Sequence, residues 1–305
     1  MEKHIHHREL TPYLSPTPAM QIGAPGKFGR LHLVFELDRD QKSILRYWQR
    51  QAPLIVQQEL YFDESMPNMP CVYILSSGGP HVDGDRYEQQ IILRKGAYAF
   101  ISTGAATKIA EMIYNFSSLR QHIELDEDAY LEYLPEATIP CRHSRFWAEN
   151  TITIHPSATL LYSEIYSGGR KYYNGGELFL FDLLSSCTQA QRPDGTPLFR
   201  EKMVISPQDR DVRQIGILSQ YDVFANVIVL TPPEKSETIY RLTKAYIQKN
   251  PSLAVGINYL PNQAGLLFKA LGQEIQPVKK IVRSFASTVR LQIKGKPLPE
   301  EFVWK

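Results

Sequence analysis

The segment SSGGPHVDGD, residues 76–85, carries the densest group of side chains that could do chemistry. It holds three glycines, one imidazole (His81) and two carboxylates (Asp83 and Asp85). In an extended strand these three side chains would point the same way and could contact a divalent ion of the nickel or zinc type. Because Gly84 favours a break in the strand, the alternative is a tight turn whose aspartates bind backbone N–H groups.

Other site chemistries find little support in the chain. The glycines of residues 76–85 precede neither a lysine at P-loop spacing nor a helical pattern, so a phosphate cradle is not indicated. No GxSxG motif occurs, and the neighbouring Cys141 and His143 do not by themselves make a catalytic dyad. The N-terminal tract of His4, His6 and His7 is a second candidate metal site, with a plain polar tail as the alternative.

The composition excludes several classes of protein. The 34 basic residues nearly balance the 32 acidic ones, which argues against a dedicated nucleic-acid or membrane binder. No run of about 18 apolar residues predicts a membrane-spanning helix, and the N-terminus lacks the apolar region of a secretory signal. Three cysteines without a CxxC pair fit a reducing compartment. We therefore expect a globular cytoplasmic protein.

Alternating apolar residues predict strands through the first two thirds of the chain. In RLHLVFEL the side chains of Leu31, Leu33 and Phe35 fall on one face, and CVYILSS, QQIILRK and AYAFIST show the same period of two. Three segments around Ala97, Ala129 and Ala158 share a turn residue, an alanine and an apolar run, at spacings of 32 and 29 residues. This weak repeat predicts stacked strands of a β-helix or solenoid type, with an ordinary β-sandwich as the alternative.

The last third of the chain predicts about two helices. SETIYRLTKAYIQKN offers Ser236 as an N-cap, an apolar stripe of Ile239, Leu242 and Tyr246, and Pro251 as a stop. A second helix follows Pro277, with Val278, Val282, Phe285 and Val289 at helical spacing. The sequence thus predicts a mainly β fold, with a flexible arm at 1–27 and a single β-rich domain at 28–305.

Six blocks in order resemble the urease accessory protein D family, called H in some organisms (UreD/UreH). They are QAPLIVQQELYFDE, the Gly-rich segment ending in Gly84-Asp85, the TGAATK loop (103–108), LEYLPEATIPCRHSRF, LLYSEIYSGGR and GKPLPEEFVWK. The resemblance runs from about residue 22 to the end. The chain departs from the pattern in QAPL, in PEEFVW, which lacks the usual arginine, and at Pro80-His81, where many relatives have apolar residues.

The resemblance implies a non-enzymatic scaffold for urease maturation. Such a protein binds apo-urease and UreF, which docks the GTPase UreG, and conducts nickel to the nascent active site. No tightly bound cofactor is implied, only transient Ni²⁺. The residues matched to the nickel path are Asp85, Glu164 and Glu201, with Thr107 and Lys108 supporting. Second-tier candidates for the same path are His81, Asp83, Glu132 and Glu177. Scattered carboxylates suit a path that must release its cation.

Two other functions remain open on the sequence. A β-solenoid carbohydrate-active enzyme would use the scattered carboxylates as an acid–base pair about 5 to 10 Å apart in an open cleft. A stand-alone metal-storing or metal-sensing protein would use the histidines His4, His6, His7 and His81.

Overall fold

The computed structural model describes residues 7–17, 26–243, 249–250 and 252–299. These residues form two α-helices, α1 (Pro233–Thr243) and α2 (Ile275–Lys294), besides short 3-10 turns. The strands, in chain order, are β1 (Phe28–Leu37), β2 (Ser43–Gln51), β3 (Leu54–Ile55), β4 (Cys71–Ser76), β5 (Arg86–Leu93), β6 (Tyr98–Thr103), β7 (Thr107–Ile109), β8 (Ser117–Leu125), β9 (Tyr130–Tyr133), β10 (Thr138–Pro140), β11 (Arg145–Ile154), β12 (Thr159–Ser167), β13 (Gly169–Arg170), β14 (Glu177–Leu178), β15 (Leu183–Gln191), β16 (Pro197–Ile205), β17 (Val223–Leu230), β18 (Lys249–Asn250), β19 (Leu253–Tyr259) and β20 (Gly265–Gly272).

Two large sheets face each other. The seven-stranded sheet has the order β16-β15-β11-β8-β5-β1-β2. The eleven-stranded sheet has the path β18-β19-β20-β17-β12-β9-β6-β4-β3, with β7 and β10 attached beside it. In both sheets the central strands pair parallel and the strands beyond them pair antiparallel. From β5 to β12 the main strands alternate between the two sheets.

The repeat seen in the sequence corresponds to stacked parallel strands. Tyr98 lies opposite Tyr130, and Tyr130 lies opposite Thr159, so the register repeats at the spacing of the marker alanines. The carbonyls of Ala97 and Ala129 accept hydrogen bonds of 2.9 Å from the next strand in the stack. The prediction of a mainly β chain is confirmed. A β-helix or solenoid is not confirmed, because both sheets continue into antiparallel strands.

Apolar side chains fill both faces of the eleven-stranded sheet. Leu31, Leu33 and Phe35 are fully buried between the sheets, as their alternation predicts. The other face of the eleven-stranded sheet packs against α2 through a cluster that contains Val278, Val282, Phe285 and Val289, the residues predicted to line that helix. The protein therefore has three layers, with the space between the sheets enclosed.

The first helix differs from its prediction at the N-terminus. Helix α1 begins at Pro233, whose fixed φ suits a first turn, and not after Ser236. Ser236 lies inside the helix, where its buried hydroxyl donates to the carbonyl of Pro232 at 3.4 Å. Of the predicted stripe, Ile239 is buried and Leu242 is exposed, whereas Tyr246 and the predicted stop at Pro251 lie outside the described residues.

Part of the predicted arm is packed on the body. Residues Arg8–Tyr13 form a 3-10 helix, and Leu10 is fully buried against Phe116, Trp147 and Leu183. His7 packs its ring on Trp147, whereas His4 and His6 lie outside the described residues. No helix in the described ranges is long and apolar enough to cross a membrane.

Candidate functional site

The segment that contains Gly84 forms a turn stabilised by its own carboxylates. Gly84 has φ +78°, a conformation that side-chain-bearing residues rarely adopt. Asp83 accepts hydrogen bonds from the backbone N–H groups of residues 113–115 at 2.7–2.8 Å. Asp85 accepts hydrogen bonds from the backbone N–H groups of Lys27 (2.8 Å) and Val82 (3.0 Å). This is the turn arrangement that the sequence left open as the alternative.

Asp85 is fully buried and is not among the residues that line the internal cavity between the sheets, but it is hydrogen-bonded to a residue that does line it. The hydroxyl of Tyr87 donates to Asp85 Oδ2 at 3.0 Å, and Tyr87 lines an internal cavity. Burial and the carboxylate of Asp85 together raise the pKa of the Tyr87 hydroxyl, so the group stays a donor. Asp85 is therefore linked to the cavity wall by its hydrogen bond with Tyr87.

The cavity lies between the two sheets and has a volume of about 430 Å³. At roughly 30 Å³ of liquid volume each, it has room for on the order of ten water molecules. Its wall includes the polar residues Gln89, Tyr133, Asn150, Tyr162, Glu164 and Tyr166. Its mouth is formed by the TGAATK loop (103–108), together with Gly79 and Pro80. Such a partly open space can hold water beside a charged group.

Two carboxylates line this cavity: Glu136, which is paired with Lys279, and Glu164, which is held by neutral donors. The Oε1 of Glu164 accepts hydrogen bonds from Tyr166 (3.0 Å), Ser186 (3.1 Å) and Asn150 (3.1 Å), with Tyr162 at 3.4 Å. Burial raises the pKa of the Glu164 carboxyl, and the hydrogen bonds oppose that effect only in part. The surface that Glu164 keeps faces the cavity. Among the described residues the donors converge on one oxygen, which leaves the other oxygen available to a cation.

The tyrosines around Glu164 are neutral donors. Burial raises the pKa values of the Tyr162 and Tyr166 hydroxyls well above their ordinary range, with the charge of Glu164 adding to the effect. Burial also raises the pKa of Tyr133 to about 12. The rings of Tyr133 and Tyr162 stack at 5.3 Å. The carboxylate of Glu164 thus lies amid uncharged hydroxyls and amides.

Three other predicted residues lie at the same cavity. His81 and Thr107 line it, and Lys108 lines its mouth with an exposed side chain. The backbone N–H of His81 donates to the carbonyl of Lys108 at 2.9 Å, which joins the Gly-rich segment to β7. The structure therefore brings together residues 81, 107, 108 and 164, which are far apart in sequence.

A row of polar side chains crosses the inner face of the seven-stranded sheet. The residues paired across neighbouring strands in this row are Gln89, Gln121, Asn150, Thr188 and Glu201. Gln121 donates to Gln89 at 2.9 Å, and Asn150 donates both to Thr188 at 2.9 Å and to Glu164. On the facing sheet, Glu164 is paired with Asn226, and Asn226 with Lys269.

Glu201 lies at the far end of this polar row. It forms an ion pair with Lys269, so the two sheets meet there through opposite charges. The polar row thus connects the Glu164 cavity to a second carboxylate whose side chain is 26% exposed. The row lies between two apolar clusters, one containing Ile123, Ile152 and Ile228 and the other containing Phe146 and Phe224.

Two second-tier residues lie elsewhere. Glu132 is on the opposite face of its sheet, where Arg290 of α2 donates to both of its oxygens at 2.6 Å. Glu177 receives two hydrogen bonds of 2.7 Å from Arg170, and these lower the pKa of the Glu177 carboxyl. Both carboxylates are therefore tied to arginine side chains.

The sequence interpretation missed the uncharged members of the polar row. Gln89, Gln121 and Asn150 each stand at the inward-facing parity of a strand, between apolar residues of the same face. Their spacings, 121 − 89 = 32 and 150 − 121 = 29, equal those of the alanine repeat. A search of the repeat for polar residues at inward positions would have found them.

Neither alternative function is favoured by this arrangement. Among the described residues no group of three or more His, Cys, Asp or Glu side chains could hold a metal ion. Asp83, Asp85, Glu132 and Glu177 are each at most 6% exposed and engaged with backbone N–H groups or arginine. Those carboxylates do not offer the open acid–base pair that glycoside chemistry needs.

Comparisons with known proteins point to one family. The model of the family described as UreD urease accessory protein matches residues 27–305. The chain is 43% identical over 297 residues to "Urease accessory protein UreD 2" of Brucella suis biovar 1, covering 97% of this chain and 98% of that protein. It is 40% identical over 307 residues to "Urease accessory protein UreD" of Yersinia enterocolitica, covering 99% and 94%. The chain belongs to the UreD family of urease accessory proteins.

Proposed function

We propose that this chain is a non-enzymatic scaffold of urease maturation that passes nickel along its polar interior. In this proposal it binds apo-urease and UreF, which docks the GTPase UreG. The observation that carries the nickel route is Glu164, a carboxylate held by neutral donors inside a cavity with room for water. A hydrated divalent cation is attracted to such a carboxylate and released from it, because one oxygen ligand binds weakly.

The polar row extends from the Glu164 cavity to Glu201, so the proposed route would have two openings for the cation. One is the mouth beside Thr107 and Lys108, and the other is the Glu201–Lys269 pair at the far end. A route between two proteins needs one opening toward each of them. The absence of a closed three-ligand group among the described residues fits transfer, since tight capture would stop the cation. Asp85 would act through Tyr87 by fixing the cavity wall.

The test compares Glu164→Gln with Glu127→Gln in cells that express apo-urease and the other maturation proteins. Glutamine keeps the size of Glu164 and removes its charge, whereas Glu127 is an exposed partner of Lys95 and serves as the control. We expect Glu164→Gln to lower the nickel content of urease several-fold while pull-downs with apo-urease and UreF stay intact. Equal nickel content of urease from cells with either variant would refute the nickel route. Failure of the unaltered protein to retain apo-urease and UreF in the pull-downs would refute the scaffold role.

A further inference from the structure

His81 is enclosed by the protein without a hydrogen-bond partner for one of its ring nitrogens. Its side chain is 6% exposed, and its Nδ1 is buried and unpartnered in the described part of the chain. The ring packs on Tyr87 at 4.2 Å and meets Phe146 edge-on at 5.3 Å. The backbone of His81 is fixed on both sides, because its N–H donates to Lys108 and its carbonyl accepts from Ala110.

The imidazole of His81 is uncharged and lines the same cavity as Glu164. Burial lowers the pKa of His81 to about 3, with the nearby charge of Lys27 adding to the effect. A neutral imidazole keeps a lone pair on one nitrogen, which is the form that binds metals. An unpartnered polar atom in an apolar setting destabilises the fold, so packing alone does not account for a histidine between Tyr87 and Phe146.

Nitrogen and oxygen donors select different ions. Imidazole suits nickel, zinc and copper, whereas carboxylates and water suit magnesium, calcium and manganese. The other polar groups of the cavity wall are carboxylate, hydroxyl and amide groups, which would not separate nickel from the more abundant oxygen-preferring ions. His81 is the imidazole among the lining residues.

Resting on the proposed function, in which the cavity carries a divalent cation, we propose that His81 is the nitrogen ligand of that route and gives it its preference for nickel-class ions. His81 binds the cation through Nε2, because Nδ1 is buried away from the cavity space, and water fills the remaining positions. The cation then exchanges between His81 and the carboxylate of Glu164 inside the cavity. Because neither residue belongs to a closed metal-binding group in the described ranges, the cation is released in either direction.

The experiment measures Ni²⁺ and Mn²⁺ affinities of the full-length chain by calorimetry. In the parent protein His4, His6 and His7 are replaced by glutamine, so the N-terminal tract contributes no imidazole. We expect His81→Phe, which keeps the contacts with its two aromatic neighbours, to weaken Ni²⁺ binding at least about tenfold, the loss typical of disturbing a metal site. Mn²⁺ affinity should stay unchanged. His122→Phe, on the exposed outer face of β8, is the control and should change neither.

The outcomes separate this inference from the proposed function. If Glu164→Gln weakens both ions while His81→Phe leaves Ni²⁺ affinity unchanged, the role of His81 is overturned and the route stands. If Glu164→Gln changes neither affinity, or the parent binds no Ni²⁺, both proposals fail. Should His81→Phe fail to fold, His81→Gln removes the imidazole while keeping a polar side chain, and the same selective loss of Ni²⁺ binding is required of it.

Discussion

Replacement of Arg290 by methionine should destabilise the protein strongly at neutral pH. Arg290 lies on α2 and is fully buried, as are its two carboxylate partners, Glu132 and Asp63. Burial alone would lower the pKa of the guanidinium, but hydrogen bonds with Glu132 raise it overall, so Arg290 stays charged. Methionine fills a similar volume and leaves two buried carboxylates without the cation that is hydrogen-bonded to both.

The expected cost follows from breaking a buried ion pair. Removing one partner costs about 3–5 kcal/mol, because the remaining charge is uncompensated. An unfolding entropy of about 2.1 cal/mol/K per residue gives roughly 0.64 kcal/mol/K for this chain, so the melting temperature should fall by about 5–8 °C.

Denaturant unfolding followed by circular dichroism at neutral pH is the assay. Lys280→Met, on the exposed side of the same helix, is the matched control and should change stability by less than about 0.5 kcal/mol. Adding Glu132→Gln and Asp63→Asn to Arg290→Met should restore much of the loss, since no buried charge remains. A loss below about 1 kcal/mol would refute the assignment of Arg290 as the counter-charge.

Three further predictions concern the interior and the N-terminal segment. Burial raises the pKa of Glu164 above its ordinary 4.5, so the stability that its protonated form contributes should be present below pH 4.5 and lost as pH rises through the folded pKa. Glu164→Gln should remove this pH dependence of the free energy of unfolding. Asn150→Asp should place a second carboxylate beside Glu164 and tighten Ni²⁺ binding in calorimetry, while urease in co-expressing cells receives nickel more slowly. Leu10→Ala should lower the free energy of unfolding by about 2–5 kcal/mol in denaturant titrations, because Leu10 packs on Trp147. A change under about 0.5 kcal/mol would indicate that this N-terminal segment does not pack on the sheets.

Strand positions and one helix could be predicted because their patterns depend on one buried face. Leu31, Leu33 and Phe35 alternate along β1, and the seven-stranded sheet leaves only their side of the strand in the core. The stripe on α2 is as clear, since one side of that helix packs on the sheet. The predicted start of α1 at Ser236 was wrong, because Pro233 and Ser236 are both residue types that favour a helix start. In the structure the helix begins at Pro233.

The roles of the carboxylates could not be predicted in the same way. All four residues of β9 are buried, because the sheets cover one face and α2 the other, so alternation cannot show which way Glu132 points. The register of β9 against β12 shows which way the Glu132 side chain points. Glu132 is paired with Leu161 and shares its helix-facing side, whereas Glu164 points into the cavity. Two glutamates in similar apolar runs therefore have different partners: an arginine for Glu132, and tyrosine, serine and asparagine side chains for Glu164.

The position of the polar row explains how a layer of polar side chains can be accommodated between the two sheets. On β11 the inward side chains change from Phe146 and Ala148 to Asn150 and then to Ile152, and the facing strands change at the same level. The two apolar clusters hold the sheets together above and below the row, so the polar groups need not provide the packing energy. Each of them needs only a hydrogen bond or water to offset its burial. In an interior built this way, polar groups can line a cavity while the apolar clusters on both sides keep the sheets in place.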